Sequence, residues 1–331
     1  MINLALVPVA GWGTRMLPAT KSQPKEMLPV GRKPVVQYVV EELVQSGIRR
    51  LLFITGQGKT SIENHFDIDQ SLIEYLRDTG REEQLLDLQF EREDVEYFYT
   101  RQRKQLGLGH AVLCGQSMIG QQPFVVALGD SIIGLHAQSQ NVSRMSAIFE
   151  REQADVVLAF DDVPLEEVVH FGIALPKGTP GDVFEVADLI EKPSVSEAPS
   201  TLAAAGRYVF SPAIFDALAK TKPGRGGEIQ LTDAIRLMLK NGQKVIGVKL
   251  TPQEKRFDIG NFESYFQAFF EFALHDPHHG HALRDHVRNL LDSISSPDFR
   301  RSGREVIVPP TVSSGSPPGA TCCLPHDTNM T

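Results

Sequence analysis

Gly11, Gly13, Thr14 and Arg15 follow the apolar run Leu4-Ala5-Leu6-Val7-Pro8-Val9, and Lys25 stands ten residues beyond the arginine in Pro24-Lys25-Glu26-Met27-Leu28-Pro29. Glycine lets a backbone approach a ligand closely and turn its N–H groups towards it. A guanidinium forks onto phosphate oxygens, and an ammonium adds a compact point charge. Together these residue types form a place to hold a polyphosphate. The loop is neither G-x-G-x-x-G, as a dinucleotide fingerprint requires, nor a Gly-Lys followed by Ser or Thr, as a Walker loop requires. Taken alone, G-x-G-T-R is about equally consistent with a structural turn. Lys25 and two acidic sites downstream shift the balance towards nucleotide chemistry. Asp130 ends an apolar run and Asp258 opens an Asp-x-Gly turn. Each aspartate by itself is more commonly a cap or turn residue.

These residues must be positioned by regular elements. Short apolar runs at Leu4–Val9, Leu51–Thr55, Val95–Tyr99, Phe124–Leu128 and Asp155–Phe160 read as strands. Between the first two, Val35, Val39, Leu43 and Val44 keep helical spacing, with Pro34 near the start and Gly47 past the end. Strands separated by helices predict an α/β fold with a Rossmann-like, mixed but mainly parallel sheet flanked by helices. Ligands bind beyond the carboxyl ends of such strands, where the glycine loop and Gly129-Asp130 both fall. From Phe171 to Phe210 the pattern changes to short strands and turns. Residues 162–258 are therefore expected to extend the sheet and form the far wall of the cleft. Helical patterns return at Leu231–Lys240 and Phe262–Leu274, and Leu283, Val287, Leu290, Leu291 and Ile294 share one stripe of a further helix. The tail beyond about Ser302 is rich in Pro, Ser, Gly and Thr and is expected to be disordered. The expected division is a nucleotide-binding half over 1–161, a further half over 162–275, a helical extension over 276–301 and the tail over 302–331.

Bulk properties narrow the class. With 41% hydrophobic and 22% charged residues, the chain has the composition of a globular protein. A net charge of -8 provides no general attraction for nucleic acid or anionic membranes, so neither is an expected partner. An anionic small substrate would need a local cluster of positive charge. No run approaches the length of a membrane span, and no basic n-region precedes the first strand. Cys114, Cys322 and Cys323 form neither a disulfide framework nor a zinc spacing. The expected location is cytoplasmic. His275, His278, His279 and His281 read as a polar loop rather than a metal cluster, and Cys114 as a core residue.

Further segments extend the pattern: Ser61-Ile62-Glu63-Asn64-His65-Phe66-Asp67, Gly107-Leu108-Gly109-His110-Ala111, Glu191-Lys192-Pro193, Gly206-Arg207-Tyr208-Val209, Gly227-Glu228-Ile229-Gln230-Leu231-Thr232-Asp233 and Asp258-Ile259-Gly260-Asn261. With the first thirty residues, these resemble the bacterial UTP–glucose-1-phosphate uridylyltransferases of the sugar-nucleotidyltransferase superfamily, in order and spacing, across roughly the first 275 residues. The resemblance implies a nucleotide-diphospho-sugar transferase-like fold, with strand insertions forming the sugar side. It implies transfer of UMP from UTP to glucose 1-phosphate, giving UDP-glucose and pyrophosphate. Arg15 and Lys25 would be the catalytic cations. Ala10, Gly11, Gly13, Thr14, Glu26, Gln102 and Gly107 would bind the nucleotide. Gly172, Glu191, Lys192 and Glu228 would bind the sugar phosphate. Asp130 and Asp258 would hold Mg2+, and self-association into a homo-oligomer is implied.

Departures from the family pattern are local. Arg103-Lys104-Gln105-Leu106 replaces the usual Gly-Leu-Ala-Lys after Arg101-Gln102, Phe262-Glu263-Ser264 replaces Lys-Leu-Gly, and Trp12 stands where many relatives carry a smaller or aliphatic residue. They leave open a related enzyme using dTTP or another hexose 1-phosphate. A non-catalytic nucleotide-sugar sensor is the alternative of another class. Loss of Lys25 or a metal aspartate would mark it, and neither is lost.

Overall fold

The computed structural model describes residues 2–92 and 94–295. Its strands are β1 (Leu4–Pro8), β2 (Pro29–Val30), β3 (Lys33–Pro34), β4 (Arg50–Thr55), β5 (Glu96–Arg101), β6 (Phe124–Ala127), β7 (Ser131–Ile133), β8 (Val156–Asp162), β9 (Gly172–Pro176), β10 (Val183–Glu191), β11 (Leu202–Phe210), β12 (Val245–Lys249) and β13 (Arg256–Asp258). The helices are α1 (Val35–Gln45), α2 (Thr60–Phe66), α3 (Gln70–Asp78), α4 (Leu108–Cys114), α5 (Gln116–Ile119), α6 (Asn141–Glu152), α7 (Ala213–Lys220), α8 (Leu231–Lys240), α9 (Phe262–Leu274) and α10 (Gly280–Ser295). The predicted helices 231–240 and 262–274 appear with those bounds.

Nine strands form one sheet in the order β5-β4-β1-β6-β11-β8-β12-β10-β9. The β5-β4-β1-β6 side is parallel throughout, with Leu4 opposite Arg50 and Ala5 opposite Val125. β11 runs antiparallel to both β6 and β8, and β8 is parallel to β12. Alternate residues of β1 face opposite sides. Leu4 and Leu6 join a core with Val112 of α4, Ile214 of α7 and Ile235 of α8. Ala5 and Val7 join a second core with Val39 and Leu43 of α1 and Met145 of α6. Burial on both faces explains why the strands read as continuous apolar runs rather than alternating ones.

The second half differs in one respect from the sequence expectation. β9 and β10 do extend the sheet at an edge, whereas β11 runs through its middle and is buried along its whole length. Its register shifts between Ala204 and Tyr208, at Gly206, where φ is +79°. A bulge at a positive-φ glycine re-aims the following side chain, and here it sends Arg207 into the protein.

A smaller layer covers the end of the sheet. β13 pairs antiparallel with β7, placing Asp258 opposite Ser131. Phe257, Ile132, Phe272 of α9, Tyr38 of α1 and Met16 form its core. The residues up to His281 form one compact unit, and those from Ala282 a second, whose described residues continue α10. The expected disordered tail, with Cys322 and Cys323, lies outside the described residues. Cys114 is half-buried against the first core, as expected. Among the described residues, no helix is long and apolar enough to cross a membrane.

Candidate active site

β1 delivers its loop to the carboxyl end of the parallel strands. Gly13, at φ +66°, starts a 3-10 turn over Thr14–Met16. The turn is held by Met16 N–H donating to Gly13 O at 2.9 Å and by Thr20 Oγ1 donating to the same oxygen at 2.8 Å. Met16 is fully buried and anchors the turn, leaving Gly11, Thr14 and Arg15 exposed. A cavity of about 430 Å³ opens here. Ala10, Gly11, Gly13, Thr14 and Arg15 line it, as do Lys25, Glu26, Gln102, Gly107, Asp130 and Glu228.

The charged floor comes from two loops far apart in sequence. Lys25 begins a short 3-10 turn after Pro24, and Asp130 follows β6 through Leu128 and Gly129. A Cβ at Gly129 would stand 2.5 Å from Val9 Cγ1, so glycine lets the loop after β6 pass close to the end of β1. Lys25 Nζ and Asp130 Oδ2 form an ion pair. Asp258 is not among the cavity-lining residues but is brought alongside by the β7–β13 register and by Ile259 N–H donating to Asp130 O at 2.9 Å. A Cβ on Gly260 would lie 2.5 Å from Asp258 Oδ2 and 3.5 Å from Arg15 Nη2, which places Arg15 over this turn.

The electrostatics follow from burial and these neighbours. Burial alone would lower the Lys25 pKa, but Asp130, Glu26 and Asp258 more than offset it and leave it raised. Burial alone would raise Asp130; the charge and hydrogen bond of Lys25 bring it below the usual range. Burial raises Asp258, and Asp130 adds to the rise against Arg256, Lys25 and Arg15. Lys25 thus compensates Asp130, whereas Asp258 beside it remains short of positive charge, and the two carboxylates stand together. That is a donor set for a hard divalent cation. No group of three or more His, Cys, Asp or Glu is placed to hold a metal among the described residues, so phosphate and water would have to complete any shell here.

The opposite wall is built on β5. Gln102 N–H donates to Thr55 O at 2.8 Å, continuing the β4–β5 ladder by one residue. The Gln102 amide nitrogen lies 3.0 Å from Gly107 O and 3.0 Å from His110 Nδ1. Gly107 has φ +93°, and a Cβ there would stand 2.7 Å from Glu228 Cβ and 2.9 Å from Ile229 O. Ile229 N–H donates to Leu106 O at 2.7 Å, and Gly109 N–H donates to Ile229 O at 2.9 Å. Glu228 therefore stands against Gly107 on the Gln102 side of the cavity. Glu26 is buried, paired with the equally buried Lys59 at 2.9 Å. Burial raises its pKa, partly offset by Lys59 and Lys25.

Gly172, Glu191 and Lys192 do not line the cavity. They form a neighbouring cluster where β9 pairs with β10, Gly172 opposite Glu191. Glu191 Oε2 accepts from Thr232 Oγ1 at 2.8 Å, and Lys192 Nζ lies 3.4 Å from Glu191 Oε1. A Cβ on Gly172 would meet Thr232 Cγ2 at 2.6 Å. Thr232 is four residues beyond Glu228, so one segment at the start of α8 joins cluster and cavity. Sequence reasoning missed Gln105 and Gly260 as lining residues. Gln105 sits in the loop that departs from the family pattern, and its Nε2 lies 3.5 Å from Ala10 O. The histidines 275, 278 and 279 lie at a turn where Asp276 Oδ1 accepts from the backbone N–H groups of His278 and His279 at 2.9 and 2.8 Å.

Comparison with known proteins places this geometry in a family. The nucleotidyl transferase family pattern matches residues 4–273. The UTP–glucose-1-phosphate uridylyltransferase of Pseudomonas aeruginosa is 41% identical over 268 residues, 81% of this chain and 95% of that protein. The Bacillus subtilis protein of the same name is 41% identical, covering 92% of this chain and 98% of its own length. Among solved structures, the UTP-bound enzyme of Acinetobacter baumannii superposes with a TM-score of 0.80 at 36% identity, covering 88% of this chain and all of that one. A UDP-glucose pyrophosphorylase complexed with UDP-glucose gives 0.74 at 38% identity, covering 82% and 98%. The chain belongs to the nucleotidyl transferase family and, within it, to the UTP–glucose-1-phosphate uridylyltransferases.

Proposed function

We propose that this chain transfers UMP from UTP to glucose 1-phosphate, releasing pyrophosphate and forming UDP-glucose. The observation that carries the reading is the convergence of the 10–15 loop, Lys25 and Asp130 on a single hollow walled by Gln102 and Gly107. The names of the relatives support the choice of substrates.

The chemistry asks little of the protein beyond positioning and charge. A phosphate oxygen of the sugar phosphate is already deprotonated, so no general base is needed. It attacks the α-phosphorus of UTP in line, and the bond to the departing pyrophosphate oxygen breaks. Two anions must meet while negative charge gathers at phosphorus, so catalysis rests on orientation and neutralisation. In this reading the N–H groups of Gly11 and Gly13, with Thr14, cradle the triphosphate and Arg15 clamps it. Lys25 exchanges its carboxylate partner for the oxygens of the reacting phosphates. Ala10, Glu26, Gln102 and Gly107 shape the base site. Gly172, Glu191, Lys192 and Glu228 take the sugar phosphate, the first three from the adjoining cluster. Asp130 and Asp258 would hold Mg2+, which when bound supplies further neutralisation of the phosphates. Exposed Phe266, Phe269 and Phe270 on α9 support self-association of the chain.

Pyrophosphate release from UTP, dTTP and CTP, each with glucose 1-phosphate and other hexose 1-phosphates, tests the reading. Turnover is expected to be greatest with UTP and glucose 1-phosphate. Preference for dTTP or another sugar would transfer the chain to a sister activity. UDP-glucose binding without pyrophosphate release would make it a sensor.

A further inference from the structure

The amide of Gln102 is held by two acceptors at once. Its nitrogen is 3.0 Å from Gly107 O and 3.0 Å from His110 Nδ1. A peptide carbonyl only accepts, so the atom facing Gly107 must be the NH2 group. That group also faces His110, so His110 Nδ1 must be the acceptor and the ring proton must sit on Nε2. Burial lowers the His110 pKa and favours this neutral form. Both N–H bonds of Gln102 are thereby engaged inside the protein. Among the described residues its Oε1 has no hydrogen-bond partner. Gln102 lines the cavity and His110 does not.

We propose that His110 is a specificity-determining positioning residue, which fixes the Gln102 amide so that only a carbonyl oxygen faces the bound base and a pyrimidine bearing an N3–H is preferred to one with a bare N3. The proposal rests on the reading that Gln102 faces the base of a nucleotide. Uracil carries a hydrogen on N3, whereas cytosine presents a lone pair there. Against an oxygen that cannot rotate away, cytosine opposes acceptor to acceptor, and a buried polar mismatch is a strong discriminator. Without His110, one amide N–H loses its partner and the flipped amide, with NH2 towards the base, becomes more accessible. The effect falls on selectivity and leaves the phosphate-binding loops in place.

The test compares UTP and CTP dissociation constants for the full-length protein and for His110→Leu, His110→Phe and His110→Asn, beside pyrophosphate release with each nucleotide. Asn places an amide oxygen where Nδ1 stands and can accept from Gln102. The UTP:CTP affinity ratio is expected to fall about tenfold in the Leu and Phe variants and to remain within about twofold of the parent in the Asn variant. An unchanged ratio in all of them overturns the proposal, and so does an equal fall in all three, which would make His110 a packing residue only. Binding is read separately from turnover. A parent protein that prefers UTP in binding yet releases no pyrophosphate would refute uridylyl transfer while leaving the His110 role intact.

Discussion

Arg207 lies across Glu42 inside the protein, donating from Nε at 3.0 Å and from Nη2 at 2.6 Å to the same carboxylate oxygen. Both side chains are almost wholly inaccessible. The guanidinium also donates to Ser131 O at 2.8 Å and lies 3.5 Å from Leu128 O, so it grips the loop on either side of Asp130. Arg207→Met would leave a buried carboxylate uncompensated, at a cost of about 3–5 kcal/mol. Replacing both partners, as Arg207→Met with Glu42→Leu, should recover most of that loss. Urea unfolding of the two single variants and the double variant reads the difference. Equal losses that simply add would contradict the coupling.

Gly107→Ala meets two obstacles together. The residue sits at φ +93°, and the new Cβ would press on Glu228 and Ile229 at under 3 Å. Left-handed strain costs about 1–2 kcal/mol and overpacking about 1–3 kcal/mol. The wall carrying Glu228 should be displaced, with UTP affinity falling at least tenfold in a calorimetric titration. Unaltered affinity would show that this wall does not touch the nucleotide.

Glu254 accepts from Arg144 Nη2 at 2.8 Å, Thr251 N–H at 3.0 Å and Gln140 N–H at 3.1 Å, fastening α6 to the segment that leads into β13 and Asp258. Burial opposes its charge, but Arg144 and Thr251 outweigh burial and lower its pKa. A carboxylate whose folded pKa is depressed contributes stability above its unfolded value of about 4.3, and that contribution is lost as pH falls through the folded value. Glu254→Gln should therefore be less stable than the parent by about 1.5–3 kcal/mol at pH 7. The gap should close as pH drops below about 4. Thermal unfolding across that range checks the sign; a gap that widens in acid would contradict it.

In the parallel half of the sheet β1, β4 and β6 were legible in the sequence because they are buried and so appear as unbroken apolar runs, while the half-buried edge strand β5 showed through its aromatic residues. β11 was not, because Ala203-Ala204-Ala205-Gly206-Arg207 has neither alternation nor bulk, and its place between β6 and β8 depends on long-range pairing. The glycine loop and Lys25 were legible from residue type. Their junction with Asp130 was not encoded in spacing; it depends on β1 and β6 being neighbours. Asp258 comes alongside through the β7–β13 register and the Ile259 N–H bond to Asp130 O. Arg207 gave no local signal, since its role follows from a bulge that turns a charged side chain inwards. Gly172, Glu191 and Lys192, grouped in the sequence by the family resemblance, stand together beside the cavity rather than in its lining.

Lys25→Ala removes the ammonium paired with Asp130. Turnover should fall on the order of a hundredfold or more, the usual effect of losing a donor aimed at developing charge. The UTP dissociation constant should change less than turnover does. A variant with normal turnover and weakened binding would demote Lys25 to a binding role.

The central claim is that Lys25, the glycine loop and a divalent cation at Asp130 and Asp258 gather two anionic reactants. Its most direct test is pyrophosphate release from UTP and glucose 1-phosphate at saturating Mg2+, with and without a chelator, for the parent and for Asp130→Asn. The account predicts release by the parent, its loss on chelation, and no release by a folded Asp130→Asn protein. Full release by Asp130→Asn, or by the parent in excess chelator, would contradict it.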